Sequence, residues 1–280
     1  VVSIPVIVVG RIDARLAEQG LRSGKADFIA MGRGLMVDPE LPIKAQEGRF
    51  DEIMPCTACM NCVHRGVLRD TPITCQVNPA LGREAESRLL PAARKSKVVV
   101  VGAGPAGLEA ARVAATRGHM VTVLEAAPQV GGRFRLLAAA PHKEPIRGWI
   151  EFMGKRLRQL GVDVRLDTQA TAVVVQQLAP EAVILATGLA SVQRSDQGPR
   201  QVGQQFVHLQ DVLSGRASTG EKVLILGDDT MAAECADLLS ERGKVVTVIV
   251  RGKRLAPEML AIIRNVLLKR LAAKKVTQVT

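Results

Sequence analysis

A strand–glycine–helix–strand unit, written twice, sets the frame for this chain. From Lys97, KVVVVGAGPAGLEAARVAATRGHMVTVLEA runs through an apolar stretch, glycines at 102, 104 and 107, a helical pattern and a second apolar stretch ending at Glu125. Consecutive valines bounded by a glycine turn read as a strand buried on both faces, and hence as a parallel sheet covered by helices. Each glycine has a role. Gly102 makes the turn, Gly104 lets a pyrophosphate reach the backbone, and Gly107 lets helix and strand pack closely. The helix amides then face the phosphates. Glu125 stands where an acidic side chain accepts hydrogen bonds from an adenosine ribose; taken alone, it reads equally as a solvated strand end.

The second copy, KVLILGDDTMAAECADLLSERGKVVTVIV, aligns without a gap at an offset of 125: Gly102 falls on Gly227, Gly107 on Ala232 and Gly118 on Gly243. Asp229 replaces Gly104, and Val250 replaces Glu125. A carboxylate about 5 Å from a pyrophosphate charge costs roughly 3 kcal/mol at an effective dielectric near 20, and Asp228 or Asp229 would cap its own helix. Arg251, Lys253 and Arg254 could nonetheless meet a 2′-phosphate, so NAD(P) binding by this unit stays open.

Upstream, Pro55 to Pro79 (PCTACMNCVHRGVLRDTPITCQVNP) holds four of the five cysteines: Cys56, Cys59, Cys62 and Cys75. Three thiols at every third residue and a fourth after twelve more fit a [4Fe–4S] cluster. Structural zinc more often uses two separated C-x2-C pairs, and a disulfide framework would need an oxidising compartment; both remain alternatives. Further upstream, IPVIVV ends at Gly10-Arg11 and ADFIAM at Gly32-Arg33. Two strands with Gly-Arg ends fit the phosphate site after the last strands of a (β/α)8 barrel, and equally fit turn glycines with solvated arginines. Asp38 to Ile53 reads as a single capped helix, and Arg83 to Lys97 as a linker.

Beyond the first unit, Gly131-Gly132-Arg133 and VILATG, ending in Thr187-Gly188, complete the nucleotide domain, with a helix over Gly148 to Gly161 and a strand over Val162 to Leu166. Residues 190–220 read as a connection. A helix over about Pro257 to Lys275 leads to VTQVT, the start of a third strand, so the sequence looks like an internal fragment.

The charge of +11 is spread along the chain, there is no tyrosine, and aromatic residues make up 2%. Stacking platforms for nucleic acid are missing, and the basic stretch 269–275 reads as a solvated helix face. No apolar run is long enough for a bilayer, and no targeting peptide is legible, so the expectation is cytoplasmic, with no membrane or nucleic-acid partner.

In this order the pieces resemble the iron–sulfur flavoproteins of the old yellow enzyme superfamily: trimethylamine and dimethylamine dehydrogenases, 2,4-dienoyl-CoA reductase, NADH:flavin oxidoreductases and N-methyl amine demethylases. The resemblance runs from IPVIVVGR through MGRGLMVDP, the cysteine stretch, GAGPAG, GGR, ATG and DVLSG. It implies an α/β chain in five parts. Residues 1–53 are the C-terminal part of an FMN-binding TIM barrel, and 54–96 the [4Fe–4S] loop and linker. Residues 97–190 form a Rossmann-like FAD or ADP domain, 191–220 a connection, and 221–280 a truncated second NAD(P)-type domain. It implies FMN phosphate on Gly10, Gly32 and Arg33, and a cluster on the four cysteines. It places FAD or ADP on Gly102, Gly104, Pro105, Ala106, Gly107, Glu125, Gly132, Arg133, Thr187 and Gly188. Catalytic residues are expected upstream of Val1. The C-x2-C-x2-C-x12-C spacing is similar to that of the amine dehydrogenases, which pass electrons to an electron-transfer flavoprotein. The resemblance therefore implies oxidative N-demethylation or dehydrogenation of a small amine, in a homo-oligomer when intact. The alternatives are an NAD(P)H-dependent enoate or dienoyl-CoA reductase and a nucleotide-binding scaffold for an electron-transfer partner.

Overall fold

The computed structural model describes residues 2–189 and 206–280, which form an α/β architecture with three all-parallel sheets. The first sheet pairs β1 (Ile7–Val9) with β2 (Phe28–Ala30) across α1 (Ala14–Arg22), in register from Ile7 opposite Phe28 to Val9 opposite Ala30. The Asp13 carboxylate accepts the Leu16 amide at 2.8 Å and starts α1, satisfying one of the donors a helix end leaves free. Since the strands run the same way, Gly10 and Gly32 leave the sheet at the same end.

The segment from Asp38 to Ile53 departs from the expected single helix. α2 (Gly32–Val37) begins at the second Gly-Arg pair and stops at Asp38, followed by α3 (Leu41–Gln46) and a 3₁₀ turn (Phe50–Glu52). Pro39 holds Asp38 extended at φ −135°, ψ 95° and ends α2. Gly48 breaks the expected helix: at φ 72° its amide donates to the Ala45 carbonyl at 3.1 Å and the Arg49 amide to the Lys44 carbonyl at 2.8 Å, the glycine stop of a helix. Instead of capping a long helix, the buried Asp38 carboxylate accepts Lys44 Nζ at 2.8 Å and the Met54 amide at 2.9 Å. It thereby fixes the chain two residues before Cys56. α4 (Asn61–Val63) then runs into a π-helical turn, His64–Leu68.

The second sheet is built from β3 (Lys97–Val101), α5 (Pro105–Thr116), β4 (Met120–Leu124), α6 (Phe134–Ala138), α7 (Glu144–Gln159), β5 (Asp163–Arg165), α8 (Ala172–Gln177) and β6 (Ala182–Leu185). Its order, β5-β4-β3-β6, reverses direction beside β3. Ligands of doubly wound sheets bind at such a switch point, outside the carboxyl ends of the strands.

The third sheet, β7-β8-β9, follows α9 (Leu209–Leu213) and comprises β7 (Lys222–Leu226), α10 (Thr230–Glu241), β8 (Val245–Ile249), α11 (Ala261–Ala273) and β9 (Thr277–Val279). β7, α10 and β8 occupy the positions of β3, α5 and β4 shifted by 125, and the strand registers match: Lys97 faces Met120 as Lys222 faces Val245. The repeat is therefore structural as well as sequential. Helix α9 lies inside the stretch expected to be a connection, with Val212 and Leu213 buried; residues 190–205 of that stretch lie outside the described residues.

Each unit has its own core. The first gathers Val98, Val100, Leu108, Val123, Met153 and Leu157. Helix α7 supplies its buried stripe of Trp149, Ile150, Met153 and Leu157, the spacing of one helical face. Cys56 and Cys75 pack against this core. The second core gathers Cys235, Ala236, Leu239, Val248, Leu267 and Leu271 around α10. The basic stretch at the end of α11 is not wholly a solvated face: Arg270 and Lys274, one turn apart, donate to the fully buried Asp237 at 2.6 and 3.1 Å. No helix among the described residues is long and apolar enough to cross a membrane.

Burial pushes the Cys235 thiol up from 9.0 to about 11. The folded state thus keeps a proton that the unfolded chain loses first. The resulting stability is complete below pH 9 and is lost as pH rises towards 11, by about 3 kcal/mol across that window. Chemical denaturation between pH 8 and 11 should show this alkaline loss in the native chain and a flatter profile in Cys235→Ala.

Candidate functional site

Three groups of residues hold the positions expected from the sequence. At the first, Gly10 has φ 120° and Arg11 φ 47°, backbone that favours glycine. A side-chain carbon at either Gly10 or Gly32 would meet nothing within 4 Å. Arg33 turns towards the cysteine loop, its Nη1 lying 3.0 Å from Met60 Sδ.

The cysteine loop is held shut by hydrogen bonds. The Asn61 amide donates to the carbonyl and hydroxyl of Thr74, both at 3.1 Å, which joins the arm carrying Cys62 to the arm carrying Cys75. The intervening excursion is closed by Arg65 Nε donating to the Pro72 carbonyl at 3.0 Å and Thr71 Oγ1 donating to the Arg65 carbonyl at 3.1 Å. Asn78 Nδ2 donates to the Met36 carbonyl at 2.9 Å and anchors the return on α2. Ala58 and Met60, on either side of Cys59, sit at φ 54° and 60°, a left-handed backbone that surrounding contacts must maintain.

The sulfurs are partly buried, and backbone amides point at them. Cys56 Sγ accepts the Ala58 amide at 3.4 Å. Burial raises the Cys75 thiol, the amides of Val77 and Asn78 pull it back, and the nearby Cys59 and Cys56 thiols raise it again. Cys59 and Cys56 thus both lie within electrostatic range of Cys75. Among the described residues no three or more His, Cys, Asp or Glu side chains converge on a single-ion position. A cubane needs no such convergence, since its thiolates are spread around a body of iron and sulfide, and hydrogen bonds to the sulfurs tune its potential.

The third group is the glycine turn of the first unit. At Gly102 (φ 100°) a Cβ would lie 2.4 Å from the Ala186 carbonyl oxygen; at Gly107 it would lie 1.9 Å from the Gly102 oxygen; at Gly104 it would meet nothing. The first and third glycines are there for packing, and the second leaves open approach. Pro105 and Ala106 form the first turn of α5. Glu125 Oε2 accepts the Ala103 amide at 2.7 Å and Oε1 the Ala127 amide at 2.9 Å. This fixes the turn against the end of β4 and leaves each oxygen a free lone pair. Gly132 (φ 50°) is packed so that its Cβ would lie 2.9 Å from Gly104 Cα. Arg133 precedes α6 with no side-chain capping bond, and Thr187 and Gly188 follow β6, where a Cβ on Gly102 would lie 3.3 Å from Thr187 Cα.

Between the cysteine loop and the two units lies a cavity of about 490 Å³ whose walls include Cys59, Met60, Phe134, His142, Glu234 and Met259. Glu234 is 1% exposed; Oε1 accepts Lys143 Nζ at 2.6 Å, and buried Oε2 meets no partner among the described residues. This ion pair ties α10 to the start of α7. Sequence reading missed the cavity, the bonds of Asp38 to Lys44 and Met54 (it was read only as a cap), and the Asn61–Thr74 staple. An asparagine beside one cysteine and a threonine beside another was the one signal for the staple.

With this geometry in hand, comparison with known proteins defines the class. Residues 96–280 match the pyridine nucleotide-disulphide oxidoreductase family, and residues 1–52 match the NADH:flavin oxidoreductase / NADH oxidase family. The chain belongs to the pyridine nucleotide-disulphide oxidoreductase family, in the iron–sulfur flavoprotein arrangement that its sequence resembles. It is 39% identical to an NADH oxidase of Thermoanaerobacter brockii over 94% of this chain and 41% of that protein. It is 36% identical to an N,N-dimethylglycine/sarcosine dehydrogenase of Chromohalobacter salexigens over 89% and 37%. The solved complex of 2-naphthoyl-CoA reductase with 2-naphthoyl-CoA superposes with a TM-score of 0.93 at 32% identity, covering 99% of this chain and 42% of that one. The chain thus spans about two fifths of the length of these relatives.

Proposed function

We propose that these residues are the electron-relay part of a multi-cofactor flavoprotein oxidoreductase that demethylates or dehydrogenates a small amine. Residues 1–53 contribute the end of an FMN barrel, 54–96 the cluster loop, 97–190 the FAD or ADP domain, and 221–280 a second nucleotide-type unit, with 191–220 joining them. Gly10, Gly32 and Arg33 would hold the FMN phosphate. Cys56, Cys59, Cys62 and Cys75 would hold a [4Fe–4S] cluster. The turn from Gly102 to Gly107, with Glu125, Gly132, Arg133, Thr187 and Gly188, would hold the adenine nucleotide. A bound cluster couples the two-electron chemistry of a flavin to one-electron transfer.

The observation carrying this reading is the position of the cysteine loop. Through Met60 it touches Arg33 at the barrel end, and through Cys59 and Met60 it walls the cavity shared with both nucleotide units. That cavity lies within the roughly 300–1,000 Å³ of small-molecule sites, and we infer that it receives the ring system of FAD. An electron-transfer flavoprotein is the proposed acceptor, and the similarity to an N,N-dimethylglycine/sarcosine dehydrogenase supports an N-methylated substrate. The second reading, reduction of an enoate or acyl-CoA thioester with NAD(P)H, is supported by the likeness to 2-naphthoyl-CoA reductase.

Anaerobic purification of the intact protein tests the proposal. Iron and labile sulfide should be present in equal amounts, FMN and an adenine nucleotide should be released on denaturation, and sarcosine or dimethylglycine should bleach the flavin. Zinc without sulfide would sink the cluster. Bleaching by NAD(P)H together with inertness towards every N-methylated amine tried would favour the reductase.

A further inference from the structure

Glu258 reaches from the loop after β8 to the start of α10, where a dinucleotide-type unit would present its amides to a pyrophosphate. Three acids meet there. Asp229 Oδ1 accepts the Ala232 amide at 2.8 Å. Glu258 Oε1 accepts both the amide of Thr230 and its hydroxyl, the latter at 2.5 Å. Asp228 Oδ2 accepts the Gly252 amide at 2.9 Å, and its carbonyl accepts the Ala256 amide at 2.6 Å, which folds the loop 251–258 back over the helix end. The first unit differs at the matching positions: Gly104 faces open space there.

We propose that Glu258, with Asp229, is a specificity-determining residue that excludes pyridine dinucleotides from the second unit. This rests on the two-unit flavoprotein reading given above. Two of the amides at the helix start, those of Thr230 and Ala232, are already bonded to carboxylates, and those two carboxylates put negative charge at the end of α10 that a diphosphate would approach. Partial burial pushes the Glu258 carboxyl up, but the bonds from Thr230 bring it below the ordinary carboxylate value, so the charge is present at neutral pH. Arg251, Lys253 and Arg254 belong to this same loop, and they do not free the bonded amides. The second unit then serves to wall the cavity beside Cys59 through Thr230, Met259 and Leu260, and redox equivalents enter or leave elsewhere.

The test uses the intact, cofactor-loaded protein, with NADH and NADPH binding followed by calorimetry. The native protein should show no saturable binding at millimolar dinucleotide. Glu258→Gln should gain affinity by about tenfold, and Asp229→Gly with Glu258→Ser by about 100-fold. Micromolar NAD(P)H binding by the native protein overturns the proposal, as does a natively folded double variant that still binds none. If the double variant fails to fold, the nearly isosteric Glu258→Gln decides alone: saturable binding at millimolar dinucleotide supports the proposal, and its absence overturns it. Bleaching of the flavin by amine, recorded on the same samples, tests the functional reading separately: its failure leaves the dinucleotide result standing.

Discussion

Gly107→Ala should lose both stability and bound adenine nucleotide. The added carbon would lie 1.9 Å from the Gly102 carbonyl oxygen and 3.0 Å from its carbon, and both atoms are backbone. Gly102 cannot retreat, because it is itself pressed against the Ala186 carbonyl, where a Cβ would lie at 2.4 Å. Relief therefore requires α5 to move off β3, opening the core around Val100 and Leu108. Overpacking of this kind costs about 3 kcal/mol or more, a fall of at least about 5 °C in melting temperature. Gly104→Ala is the control. Its added carbon meets no neighbour, so the melting temperature of the nucleotide-free protein should hold. Nucleotide affinity should nevertheless fall by about tenfold, or ~1.4 kcal/mol, because the methyl group stands where the pyrophosphate approaches. Calorimetry and nucleotide release on the two variants check this, and a Gly107→Ala protein that melts like the native one would refute the packing role of that glycine.

These two glycines also show why so much of the fold was legible. A residue type that backbone geometry forces can be read from sequence, and Gly102, Gly107 and their counterparts Gly227 and Ala232 fixed both nucleotide units and their offset. The parallel pair β1–β2 was readable for the same reason, from β-branched runs ending at Gly10 and Gly32. The segment from Asp38 to Ile53 was readable only in part: the stop at Gly48 is a local glycine signal, whereas the bond from the Met54 amide to Asp38 is tertiary. Glu258 was unreadable as well: it lies 28 residues from the Thr230 it contacts, and no local pattern joins them. Asp229 was anticipated, since a capping acid acts within three residues of its own position. Local forcing was visible, and long-range side-chain pairing was not.

Cys75→Ala should remove the iron–sulfur centre while leaving the adenine nucleotide in place. On the proposed reading Cys75 is the ligand supplied from outside the triplet; the neighbouring Thr74 is held by Asn61, and the amides of Val77 and Asn78 bond the Cys75 sulfur. Without its thiolate one corner of such a cubane has no protein ligand, which leaves that iron labile and its edge of the cluster open to solvent. Most of the iron and labile sulfide should therefore be lost on anaerobic gel filtration, along with the visible absorbance of the cluster and the one-electron signal of its reduced form. Cys235→Ala should change none of these. That cysteine is fully buried in the second core, and it distinguishes a specific ligand from the general loss of a thiol. Asn61→Ala should give an intermediate result, since it keeps all four sulfurs but frees one arm of the loop, so that iron is retained at first and lost faster to a chelator. Retention of full iron and sulfide by Cys75→Ala, with the cluster absorbance and the one-electron signal unchanged, would count against this thiol as a ligand and against the proposed route from the Gly10 and Gly32 strand ends through the loop.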